Sequence, residues 1–226
     1  MIKYAALIVV TAIVSLTYVV SGRSRTIAGP ATAGHYVPTE FEILYATNCA
    51  GCHGADGKGG AARGLADPVF LHIADDATLR RVTASGVAGT AMPAFAKTAG
   101  GPLNGEQIDA LARGMRARWA AGGRASDLSP PPYSSSTVGD PARGADAFAT
   151  FCSKCHGADG RGGAGGSSIV DASYLSLVSD QSLRTTVIAG RPDLGAPDWR
   201  GNVPGHPMSP DEVSDVVAWL TAKRQQ

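Results

Sequence analysis

The sequence has no surplus of charge of either sign, few aromatic rings and no cysteine outside two short motifs. Its 20 Lys and Arg face 19 Asp and Glu over 226 residues. That balance gives no broad electrostatic claim on nucleic acid, and neither a basic run nor a nucleic-acid motif is present. Aromatic residues make up only 6% of the chain, against 29 Gly and 14 Pro. Such a chain reads as long irregular loops around short helices, because those loops need the permissive φ of Gly and the fixed φ of Pro. The four cysteines, Cys49, Cys52, Cys152 and Cys155, fall in two C-x-x-C-H pentads, CAGCH (49–53) and CSKCH (152–156). None remains for a disulfide scaffold, and the placement reads as cofactor attachment.

What is present in abundance is repetition. CAGCHGADGKGGA (49–61) matches CSKCHGADGRGGA (152–164) at an offset of 103. LRRVTASG (79–86) matches LRTTVIAG (183–190), and AMPAF (91–95) matches GAPDW (195–199), both at 104. GPLNGEQIDAL (101–111) then matches HPMSPDEVSDVV (206–217) at 105. Single-residue insertions in so long a stretch indicate duplication, hence two domains of one fold. We expect an N-terminal segment at 1–25, a linker at 26–37, a first domain at 38–122, a Ser/Pro-rich linker at 123–138 and a second domain at 139–226. The stretch ASDLSPPPYSSSTVG (125–139) has no apolar period and reads as semi-extended.

Each copy opens with a helix running into its pentad. In the second, Asp140 is an N-cap with Pro141 at the first helical position. Each closes with an amphipathic helix, capped by Asn104 in the first copy. A Ser209–Glu212 capping box starts the other, and Val213, Val216, Val217 and Leu220 share one of its faces.

Residues 5–20 are nearly unbroken apolar, and the 19 residues 4–22 approach the roughly 17–25 that span a bilayer. The alternatives are a cleaved export signal and a retained transmembrane anchor. No A-x-A-like site directly follows the run, and Arg23 and Arg25 stand there instead, which favours the anchor. Either reading exports the chain.

In a helix, residues i, i+3 and i+4 share a face, so C-x-x-C-H aims two thiols and an imidazole to one side. The thiols can form thioethers with the vinyl groups of a haem, leaving the imidazole beneath the iron. A zinc site would need four ligands, and each copy offers three and little else nearby. A thioredoxin-like pair would want a preceding strand, and the context is helical. The segments HGADGKGG and HGADGRGG are loops whose glycines let backbone approach a large flat cofactor.

On the two pentads, the Gly-rich loop after each, Met92-Pro93 and the terminal DVVAWL helix, residues 38–226 resemble the class I c-type cytochromes in a two-haem, membrane-anchored form. The resemblance implies an all-α fold wrapped round haem, and two covalently bound haem c groups with iron. It implies attachment through Cys49, Cys52, Cys152 and Cys155, with His53 and His156 as axial ligands. Met92 lies 39 residues after His53 and precedes a proline. A lone Met in an Ala-rich stretch is ordinarily core filler, but the family's position makes Met92 the sixth ligand of the first iron.

The second copy has Ala196 at that place, and alanine cannot ligate iron. The following loop, RGNVPGHPMSP (200–210), offers Met208 and His206. Met208 is the expected substitute ligand. His206 and an open iron remain alternatives, and Met208 also aligns with the apolar Leu103. Arg80, Arg184, Arg191 and Arg200 could meet haem propionates, although solvation is the ordinary role of each. His35 and His72 read as non-ligands. A carbonyl near Pro68 is expected to hold the His53 ring N–H. The family's pairing of a first-helix Gly with a last-helix aromatic fits Gly144 and Trp219. In the first copy Phe41 and Gly114 would exchange those sizes.

The function implied is a carrier of single electrons, not an enzyme. It would sit on a bacterial cytoplasmic membrane as a single-pass protein with its domains on the periplasmic or outer side, as a carrier or as a subunit of a respiratory or photosynthetic electron-transport complex. Its partners would be a quinol-oxidising complex or dehydrogenase and an oxidase or soluble cytochrome, and no nucleic acid. The alternative is a dihaem peroxidase or haem sensor with an open second iron.

Overall fold

The computed structural model describes residues 38–120 and 129–225. The expected anchor and first linker lie outside these residues. Among the described residues no helix is long and apolar enough to cross a membrane.

The first copy starts at Thr39, whose hydroxyl accepts the Glu42 N–H while the Glu42 carboxylate accepts the Thr39 N–H at 2.8 Å. This capping box starts α1 (Glu40–Asn48), which runs straight into the pentad turn α2 (Ala50–His53). Asp67 caps α3 (Pro68–Ile73), Asp75 caps α4 (Asp76–Ser85), and an Asn104–Gln107 capping box opens α5 (Gly105–Met115). The second copy repeats the plan. Asp140 caps α6 (Pro141–Phe151) and α7 (Ser153–His156) carries the pentad. Asp171 caps α8 (Ala172–Ser176), Ser179 caps α9 (Asp180–Ala189), and the Ser209–Glu212 box opens α10 (Pro210–Ala222). One departure from an all-helical reading is a two-residue antiparallel ladder, β1 (Gly162–Gly163) with β2 (Gly166–Ser167), inside the Gly-rich loop of the second copy.

In each copy the first helix crosses the last, α1 on α5 and α6 on α10. In the second, a Cβ on Gly144 would overlap the Asp215 carbonyl and stand 2.8 Å from Trp219 Cβ, so only glycine admits that approach. In the first, a Cβ on Gly114 would overlap the Phe41 ring. The expected exchange of large and small side chains is therefore present.

It is not the whole replacement. Trp219 stacks on Phe148 with ring centroids 4.2 Å apart and reaches over Gly160. In the first copy that service is performed by Trp119, five residues past Gly114. Its ring meets Tyr45, the counterpart of Phe148, at 5.1 Å and covers Gly57, the counterpart of Gly160. A π-helical turn, Arg116–Ala120, delivers Trp119. Arg116 holds that turn by donating to the Leu71 and Ala74 carbonyls at the end of α3 and pairing with Asp76 at 2.7 Å.

The copies are not separate beads. One apolar cluster contains Val69, Phe70 and Leu71 of α3 and Met115 of α5 together with Phe148, Leu183, Ile188 and Val213 of the second copy, and α3 packs against α9. Leu44, Tyr45, Leu103, Ile108 and Leu111 form a second cluster inside the first copy. Residues 129–139 carry no helix or strand. They are fastened down where Arg184 donates to the Pro132 carbonyl at 2.9 Å and Ser135 Oγ meets Ser214 Oγ at 3.0 Å.

Candidate haem sites

Each pentad sits on one helical turn, so local geometry alone gathers its two thiols and imidazole on one side. No disulfide joins the four cysteines, and burial pushes the unattached thiols of Cys49 and Cys152 up to about 11. The His53 ring is 8% exposed, and its Nδ1 lies 2.8 Å from the Arg63 carbonyl. His156 Nδ1 lies 2.8 Å from the Ser167 carbonyl. A carbonyl only accepts, so each Nδ1 carries the proton and each Nε2 keeps a free lone pair, the arrangement of a metal-ligating imidazole. Burial moves the His53 pKa down despite its backbone hydrogen bond, which keeps the ring in the neutral form that ligation requires. The holding carbonyl thus belongs to Arg63, not to a residue beside Pro68, which instead opens α3 at its first turn.

The loops after the pentads have the same shape. Gly54 and Gly157 both take positive φ, 81° and 78°. A Cβ on either would overlap the carbonyl of Gly59 or Gly162 respectively. Only glycine tolerates both conditions.

The distal loops also superimpose in hydrogen bonding. Val87 N–H donates to the Met92 carbonyl at 3.0 Å, and Arg191 N–H donates to the Ala196 carbonyl at 3.0 Å. Leu103 N–H donates to the Phe95 carbonyl at 2.8 Å, and Met208 N–H donates to the Trp199 carbonyl at 2.9 Å. Met92 is half-buried, whereas Met208 is 2% exposed within the core cluster, in the role Leu103 plays at 3%. The His206 ring stands edge-on to Phe151 at 5.1 Å, with Nε2 3.6 Å from the Glu212 carboxylate. His72 is exposed on α3, and His35 lies outside the described residues.

The four candidate arginines are engaged with protein. Arg80 pairs with Asp109 at 2.5 Å and Arg191 with Asp193 at 2.7 Å. Arg200 pairs with Asp198 at 2.6 Å, and Arg184 is buried against Pro132, Tyr133 and Ser214. Arg63, which no motif singles out, is different. Its Nη2 reaches the Gly190 carbonyl at 3.4 Å across the two copies, and its guanidinium lies 5.0 Å over the Phe70 ring. Nε and Nη1 are buried without a hydrogen-bond partner, and burial brings its pKa down to about 10. Unpaired buried donors are rare in a finished structure, and these are what an anionic group such as a carboxylate of a bound macrocycle takes up.

Two thiols beside an imidazole with a free Nε2, glycines that clear the approach, and orphaned cationic donors fit haem c. A structural zinc site takes four protein ligands, and each pentad supplies three.

Comparison with known proteins agrees. Residues 37–113 match the family described as cytochrome c oxidase, cbb3-type, subunit III. Residues 141–222 match the family described as cytochrome c. The fold and sites define a c-type cytochrome. Because the two matches follow one another along the chain, this protein is a tandem, dihaem class I cytochrome c carrying two covalently bound haem c groups. Electron transfer is the activity those domains imply.

Cytochrome cL from the marine methylotroph Methylophaga aminisulfidivorans is 23% identical, over 35% of this chain and 53% of that one, with a TM-score of 0.31. The match thus spans about half the length of that cytochrome. A reducing HAO-like protein complex of Kuenenia stuttgartiensis contains a chain 18% identical, over 83% of this chain and 97% of that one, with a TM-score of 0.45. No curated protein matches.

Proposed function

We propose that the protein is a membrane-tethered electron carrier that takes single electrons from a quinol-oxidising complex or dehydrogenase and passes them to an oxidase or soluble cytochrome. The segment 1–25 holds it to a bacterial cytoplasmic membrane, and both domains stand on the periplasmic or outer side. Bound haem supplies an iron that cycles between ferric and ferrous states. The chain's own contribution is to position, neutralise and shield. His53 and His156 present Nε2 because Nδ1 is fixed on a carbonyl, and Met92 would take the sixth position on the first iron. A thioether there favours the ferrous state and raises the potential.

The observation that carries this reading is the fastening of the two sites. The loop behind the first pentad meets the distal loop of the second copy, with Arg191 Nη2 on the Gly60 carbonyl at 3.1 Å and Arg63 Nη2 on Gly190. A relay needs that fixed relation between centres, and a pair of independent domains would not supply it.

The test is purification from native membranes under mild detergent, with redox titration of both haems and identification of companion subunits. Two one-electron centres, with a quinol-oxidising complex or dehydrogenase retained, are expected. Sustained turnover of peroxide by the purified chain, with no redox partner retained, defeats the carrier reading.

A further inference from the structure

We infer that no side chain of the second copy would take the sixth position of a haem held there, so that its iron would bind a small neutral diatomic molecule while still exchanging single electrons as the proposed carrier requires. This rests on the reading of the second pentad as a haem site. The distal loop of the second copy offers Met208 and His206 in place of the missing methionine, and the structure buries the first in the core and leaves the second on the surface. Met208 is core: it is 2% exposed, packs in the cluster with Phe148 and Val213, and fixes its backbone to Trp199 as Leu103 fixes its own to Phe95. His206 is exposed, its ring edge-on to Phe151 and its Nε2 3.6 Å from the Glu212 carboxylate, beyond hydrogen-bond reach. Tyr174, the remaining candidate oxygen, holds the station of Phe70, since Asp171 caps α8 as Asp67 caps α3 and the tyrosine falls at the same third position.

Ala196 meanwhile occupies a backbone station built for Met92. The Arg191-to-Ala196 hydrogen bond repeats the Val87-to-Met92 one, and a Cβ on Gly190 would strike the Ala196 and Pro197 carbonyls as one on Gly86 would strike Met92 and Pro93. The loop is therefore in place and only the side chain is short. The distal loop's charged groups are already paired, Arg191 with Asp193 and Arg200 with Asp198. Position 196 itself thus presents a methyl group and no acid or base of its own, which suits a neutral diatomic ligand.

The experiment uses the full-length haem-loaded chain, reduced with dithionite and titrated with carbon monoxide while the Soret band is followed. Covalent haem is counted separately as the pyridine adduct. With two haems counted, half of the haem should bind carbon monoxide. Ala196→Met should reduce that uptake to none, and Met208→Leu should leave uptake and the far-red sulfur-to-iron band unchanged. No uptake by the unmutated chain overturns the inference, and gain of uptake in Met208→Leu identifies Met208 as the ligand instead. A haem count of one per chain, with Cys152 and Cys155 unmodified, removes the haem reading on which the inference rests.

Discussion

A backbone oxygen decides which nitrogen of each pentad imidazole stays available. Arg63 and Ser167 have nothing in common as side chains, yet their carbonyls stand 2.8 Å from His53 Nδ1 and His156 Nδ1. Cysteine then decides whether the cofactor stays. Replacing Cys152 and Cys155 together by alanine should leave one covalent haem per chain after acid–acetone extraction, against two in the unmutated protein. Loss of both or retention of both contradicts the assignment of one haem to each pentad. The pentads could be read in the sequence because i, i+3 and i+4 geometry is local. The carbonyls could not, since any residue owns one and only the loop's path selects which approaches. The same holds for Arg63: nothing in AARGLAD marks a guanidinium that reaches the other copy.

Helix crossings make the two copies alike in shape while their residues differ. Gly144 lies so close to α10 that Gly144→Ala should cost on the order of 3 kcal/mol in thermal or denaturant unfolding, because backbone has to move. The same crossing carries an acid-sensitive fastening. Asp215, 5% exposed, accepts from Arg143 Nε at 2.8 Å and from the Asp140 N–H at 2.7 Å, and Arg143 holds its carboxyl below the usual carboxylate range. A depressed carboxyl contributes fully above its unfolded value of about 3.9 and loses that contribution as pH falls through the lower folded value. Asp215→Asn should therefore lower stability at neutral pH and flatten its decline below about pH 4, read as unfolding midpoints across an acid series.

The caps at Asp140, Asn104 and Ser209 and the Phe41–Gly114 exchange were legible in the sequence, because each depends on residues a few positions apart or on the repeat. Trp119 was not. The repeat pairs Trp219 with Gly114, and only a π turn, invisible in side-chain pattern, slides the tryptophan five residues to the same pocket.

At the scale of the molecule, charge is nearly absent as a docking signal. Residues 38–122 carry 8 basic and 8 acidic side chains, and residues 139–226 carry 8 and 10. Leu194, 72% exposed, stands on the loop that ends in Ala196. Electron transfer to a partner should depend only weakly on ionic strength, since screening acts on charge and an apolar rim offers little. Stopped-flow rates from low to physiological salt test this, and a steep fall would show a charged docking face instead.

The shared apolar cluster has a consequence for how separable the duplicated halves are. Val69 and Phe70 on one side and Leu183 and Ile188 on the other are buried in one cluster, although the sequence repeats as two equal units. Made alone, either half would present that oily face to water and be expected to aggregate or to seek a substitute. Made as two fragments cut between residues 120 and 129, the halves should find each other and reassemble without a peptide bond between them, as complementing pieces do. Such reassembly would show that duplication here has ended in mutual dependence, with two copies of one unit made companions within a single chain.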